Sequence, residues 1–152
     1  MRRETMTEED YSHLARAFRK VEFFAPLTVG QIEMILPYIL LLRYDAGETV
    51  FRQGEAGDAF YIVHRGRVRV SRKTGFFSFS RRVAELGGGE FFGEMALLSK
   101  DPRSATVVCL EETRLFALTS ADFGFVLKKN PAFKEEMDRV AGRRRFQTEH
   151  HA

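Results

Sequence analysis

The chain holds 152 residues, of which 44% are hydrophobic and 30% charged, with a formal net charge of +3. That is the length and balance of one globular domain with a single core, and it excludes a disordered or fibrous chain. The lone Cys109, set in "ATVVCL", excludes an internal disulfide or cysteine metal cluster and predicts a buried, inert thiol.

No apolar run approaches a membrane span, and "MRRE" leads into no signal-peptide core, so a cytoplasmic location is expected. In "TEEDYSHLARAFRKV", Tyr11, Leu14, Phe18 and Val21 share one helical face behind Thr7 as N-cap. Thr28 and Gln31 have capping-box spacing before a second short helix that stops around Pro37. These N-terminal helices occupy residues 1–36.

From Ile39 the pattern changes to short apolar or alternating segments broken by turn residues about every ten positions. The turns are Asp45-Ala46-Gly47, Gly54 to Asp58, and Arg65-Gly66, where Gly47, Gly54, Gly57 and Gly66 supply positive φ. Between and after them lie "TVFRQ", "AFYIVH", "RVRVSRK", "RRVAELG", "SATVVCL" and "TRLFALT". Many short strands with glycine turns point to an all-β sandwich, roll or jelly roll over residues 37–118.

Helical periodicity returns over 119–152. "SADFGFVLKKN" is one helix, and Asn130-Pro131 opens another with Phe133, Met137, Val140 and Ala141 on one face. The basic runs "GRVRVSRK" and "GRRRF" read first as solvated faces. His64 ends a strand and His150 and His151 sit at the tail, so no metal site is expected.

"FFGEMALLSKDPRSATV", residues 91–107, connects two core strands yet holds a fresh helical signal from Gly93 to Leu98. A short helix opening at Gly93 aims free N–H groups at an anion, and glycine allows its close approach. Arg103 adds a two-pronged donor suited to phosphate oxygens. Glu94 is repulsive there unless it accepts from something such as a ribose hydroxyl, so phosphate and sugar are expected together. A salt bridge between Glu94 and Arg103 is the plainer alternative.

That stretch resembles the phosphate-binding cassette of cyclic nucleotide-binding domains, F-G-E-x-A-L, a turn, then P-R-x-A-T/S-V, and "AGETVFRQGEAGDAFYIVHRGRVRV" is similar to that family's glycine-punctuated strands. Within the family it most resembles the C-terminal ligand domains of bacterial cyclic nucleotide-gated channels. The resemblance implies an eight-stranded antiparallel β-roll with N-terminal helices and a C-terminal helical lid. It implies a cAMP or cGMP ligand, no further cofactor, no catalysis, and signalling to an effector protein or attached domain, an ion channel among the candidates.

By the same resemblance Phe92, Gly93, Glu94, Met95 and Ala96 lie about the phosphate and ribose, Arg103 clamps the exocyclic phosphate, and Ser104 and Ala105 sit beside it. Ser104 stands where threonine accompanies cGMP preference and alanine cAMP preference, so cAMP is expected to bind as well as cGMP or better. Val70, Ala84 and Leu86 fall at the wall behind the base, although spacing alone equally allows core packing. Arg144 or a neighbour would reach the purine from the lid, or simply end a solvated helix. "KTGFFSFSRR" is longer and more aromatic than the family pattern needs. A cupin-type enzyme would need several His and Glu ligands on strands, and the "FQTEHHA" end is too short for a helix-turn-helix that reads DNA.

Overall fold

The N-cap at Thr7 and the capping box at Thr28 both form, and Thr7 proves to belong to a capping box as well. In a computed structural model describing residues 1–74, 79–139 and 142, Thr7 caps α1 (Glu8–Lys20) and Thr28 caps α2 (Val29–Ile35), each exchanging hydrogen bonds with the third helical residue. Pro37 falls in a single 3₁₀ turn, Leu36–Tyr38, that ends the N-terminal helices.

The described residues form nine strands: β1 (Arg2–Glu4), β2 (Leu40–Tyr44), β3 (Thr49–Phe51), β4 (Ala59–Arg65), β5 (Val68–Thr74), β6 (Phe79–Leu86), β7 (Phe91–Phe92), β8 (Thr106–Cys109) and β9 (Thr113–Thr119). Two antiparallel sheets result, ordered β1-β2-β9-β4-β7 and β3-β8-β5-β6. This is the antiparallel β-roll expected, with β1 added at one edge. β1 lacks a sequence signal of its own because "RRE" is polar, and it exists only through pairing with Leu41–Arg43. Beyond β7, α3 (Met95–Leu98) interrupts the roll, and α4 (Ser120–Lys129) and α5 (131–139) close the described chain.

Each sheet face has its own packing. Along β4, Phe60 and Ile62 pack against Leu14, Phe18, Phe24, Phe123, Phe133 and Met137 of the helical layer, while Ala59, Tyr61 and Val63 face Val68, Phe92, Val107 and Leu115 inside the roll. Burial on both faces is why "AFYIVH" reads as an unbroken apolar run whereas β5 alternates with arginine. Cys109 is 1% exposed inside the roll, where burial pushes its thiol above the usual range.

One residue of the expected helical face points outward, while Leu14, Phe18 and Val21 are buried. The inward positions of α1 are Asp10, Leu14 and Phe18, and Tyr11 is exposed, because positions four apart superimpose along a helix and Tyr11 stands one residue off that row. Asp10 is tolerated inside because its carboxylate accepts from the Thr7 N–H at 2.9 Å and lies 2.8 Å from His64 Nε2 on β4. His64 stacks on Phe116. Among the described residues no group of side chains is arranged to hold a metal ion, and no helix is long and apolar enough to cross a membrane. His150, His151, Val140, Ala141 and the aromatic residues Phe76 and Phe77 lie outside the described residues.

The Thr7 backbone bond, aided by His64 against the cost of burial, pulls the Asp10 carboxyl down to about 2. A folded-state pKa below the unfolded value of about 3.9 contributes stability that is full above that value and is lost as pH falls toward 2. Asp10→Asn is therefore expected to lower the urea midpoint at pH 6, with the gap to wild type narrowing from pH 4 to pH 2. Parallel urea titrations across that range check it.

Candidate functional site

The cassette begins with a glycine that no other residue replaces without strain. Gly93 has φ of 77°, and a Cβ there would stand 2.9 Å from Arg103 Nη1 and 3.3 Å from the Ala59 carbonyl oxygen. This left-handed conformation also moves the helix start: α3 runs from Met95 with Glu94 as its cap, two residues later than the sequence signal indicates. The Gly93 carbonyl accepts from the Ala96 N–H at 3.1 Å and closes the turn.

Arg103 is brought back to this turn across the roll. Its side chain is 4% exposed, with Nη2 donating to the Ala59 carbonyl at 2.7 Å and meeting Asp58 Oδ1 at 3.3 Å. The guanidinium carbon lies 3.9 Å from the Phe51 ring centroid and 6.0 Å from that of Tyr61. Burial pushes the Tyr61 phenol up, an effect Arg103 opposes. The Arg103 backbone is pinned as firmly, its N–H donating to Glu55 O at 2.7 Å and its carbonyl accepting from Gly54 at 2.8 Å. Gly57 has a structural duty other than the one expected: it is not among the positive-φ glycines, and a Cβ there would meet Ala96 Cβ and the Asp101 carbonyl at 3.3 Å.

These elements enclose a cavity of about 320 Å³. Its lining includes nine of the twelve residues singled out in the sequence: Val70, Phe92, Gly93, Glu94, Met95, Ala96, Arg103, Ser104 and Ala105. Ala84 stands opposite Val70 across the β5–β6 pair without lining the cavity, and Leu86, opposite Val68, packs against the roll core. Arg144 lies outside the described residues. The cavity adds Phe51, Gly57, Asp101, Pro102 and Val107. The stretch "GEAGDAF" held the signal for Gly57 and for the Arg103 partners Asp58 and Ala59, but its glycines read only as turn formers.

Arg103 Nε is a buried donor with no hydrogen-bond partner, an arrangement that costs free energy. The ion pair of Arg103 is with Asp58 and not with Glu94, so the expected alternative of a mutual Glu94–Arg103 bridge does not form. A cation in the lining of a largely apolar cavity, with the carboxylate of Glu94 also in that lining, can hold an anion joined to a hydroxyl.

The sequence pattern of the family described as "Cyclic nucleotide-binding domain" matches residues 41–130. The chain belongs to that family. It is 36% identical over 121 residues to the cyclic AMP receptor protein of Thermus thermophilus, covering 80% of this chain and 56% of that protein. It is 40% identical over 100 residues to a cyclic nucleotide-gated potassium channel of Rhizobium etli, covering 66% of this chain and 26% of the channel. The N-terminal domain of a transcriptional regulator from Streptomyces coelicolor superposes with a TM-score of 0.75 at 29% identity, covering 87% of this chain and 94% of that domain. The chain thus spans about half of the receptor protein and about a quarter of the channel. Cyclic nucleotide-binding domains are regulatory ligand-binding folds rather than catalytic ones.

A methyl group at position 93 would strain the backbone and push on the Arg103 guanidinium. Gly93→Ala is expected to cost about 1–2 kcal/mol of stability, read from urea unfolding of the ligand-free domain.

Proposed function

We propose that this domain is a non-enzymatic sensor whose cavity takes a cyclic purine mononucleotide. The buried Arg103 guanidinium with its unpartnered Nε carries the reading, since a permanently charged group is retained inside a protein at a cost that an anionic ligand offsets. In this reading Arg103 clamps the exocyclic phosphate, Glu94 accepts from the ribose 2′-hydroxyl, Gly93, Ala96 and Ala105 let the ring come close, and Phe92 and Met95 flank it. Val70 supports the base. The Ser104 hydroxyl offers guanine one bond, but its rotamer is less fixed than that of threonine, so cAMP binds as well as cGMP or better. A 320 Å³ cavity has room for a mononucleotide and not for a dinucleotide.

Transmission follows from the two faces of α3. Ala96 and Met95 line the cavity, whereas Leu97 and Leu98 pack against the helical layer that holds Phe123, Val126, Phe133 and Met137. A ligand that draws α3 inward acts on α4 and α5 directly, and a state with those helices closed binds it better. The relatives include a receptor protein, a channel and a transcriptional regulator, so the effector is an attached domain or a partner chain.

Isothermal titration with cAMP and cGMP tests this reading. Wild type is expected to bind, and Arg103→Ala to bind at least tenfold more weakly, in line with the loss of a charge-assisted pair. Failure of wild type to bind either nucleotide overturns the function, and unchanged affinity in the variant overturns the role of Arg103.

The sugar contact has a test of its own. A 2′-deoxy analogue should bind several-fold more weakly than its parent, and Glu94→Gln should retain more affinity than Glu94→Ala because the amide keeps an acceptor. Equal binding of the deoxy analogue removes the ribose assignment.

A further inference from the structure

The backbone of Arg103 is held by backbone partners, but the next carbonyl is not: Ser104 O accepts from Arg72 Nε at 3.2 Å. Arg72 reaches it because of its place on β5. Against β8 the register runs unbroken from Val68↔Cys109 to Ser71↔Thr106, and the irregularity beside β6 places Val70↔Ala84 next to Ser71↔Arg82, so the extra residue is Val83 on β6. β5 therefore alternates regularly, and Arg72 shares a face with Val68, fully buried in the roll, and Val70, which lines the cavity. A charged side chain two residues beyond Val70 thus stands at the cavity rim, exposed, with its Nε on the cassette.

We propose that Arg72 is a positioning residue of the ligand site: by holding the Ser104 carbonyl it fixes the planar peptide unit joining Ser104 to Ala105, both of which line the cavity. The proposal rests on the sensor reading above. Because Arg72 is exposed, its removal frees this peptide to rotate while leaving the roll intact. Ligand binding then has to order the turn, and affinity falls without a matching loss of stability.

Two substitutions separate the hydrogen bond from the charge. Glutamine places Nε2 on Cδ, where arginine has Nε, and keeps the donor without the charge. Methionine places a methyl carbon at that position and keeps neither. Titration calorimetry with cAMP and with cGMP, together with ligand-free melting, is run on wild type, Arg72→Gln, Arg72→Met and Arg103→Ala. The expected result is a five- to tenfold weaker affinity for both nucleotides in Arg72→Met, less than threefold in Arg72→Gln, and melting temperatures of both within about 3 °C of wild type, the shift of a small surface effect. Equal weakening in the Gln and Met variants shows that charge alone acts and overturns the positioning role. So does full affinity in Arg72→Met, or a melting drop that accounts for the weakening. If wild type and Arg103→Ala bind alike, or wild type binds neither nucleotide, the sensor reading falls and this proposal with it. If wild type binds and only the Arg72 variants match it, this proposal alone falls.

Discussion

A guanidinium cannot shed its charge, so a protein that buries one must build around it, and the architecture here follows from burying Arg103. Phe51 offers a ring face from the end of β3, Ala59 a carbonyl from the start of β4, and Asp58 a carboxylate from just before it. The loop between them, residues 52–58, also supplies Gly54 and Glu55 to hold the Arg103 backbone in place. Gly93 is held in a left-handed conformation where any side chain would collide with the guanidinium. Loop, strand ends and cassette are thus three views of one requirement: to solvate a cation with protein, which they do for all but the buried Nε.

The site does not sit in the roll alone. α3 is the seam between the two hydrophobic clusters, with Ala96 against the cavity and Leu97 and Leu98 against the helices. Four residues are too few to form a stable helix unaided, so α3 is held by what it packs on from both sides. In the sensor proposed above it is the link from the cavity to α4, whose Phe123 and Val126 are buried in the same cluster.

The N-terminal helix, packed on that same cluster, is fastened to β4 by a different device. Asp10 serves the capping box of α1 with one carboxylate oxygen and meets His64 of β4 with the other. One residue thereby sets where the helix starts and where it docks. The apolar contacts of Leu14 and Phe18 supply most of the attraction, and the polar pair supplies the register.

Much of this molecule is legible from the chain itself, where the determining interactions are local. Capping boxes span four residues, strand alternation spans two, and Gly93, Glu94 and Arg103 stand within one short connection, so pattern and spacing single them out, while Ala96 is drawn in by the family resemblance. What pattern could not reach depends on contacts between distant segments. β1 has no apolar signal and forms by pairing with β2, some forty residues away in sequence by its register. Asp10 points inward only because His64, 54 residues on, is there to meet it. Gly57 reads as a turn former until its closeness to Ala96 and Asp101 is seen, and Arg72 reads as a solvated charge until the regular pairing of β5 with β8 turns it toward Ser104. The cassette residues were determined by sequence because a cation and a close-approach glycine announce their chemistry wherever they stand. The residues that hold them in place were decided by tertiary structure, because a hydrogen bond between strands depends on register, and register is a property of the assembled sheet.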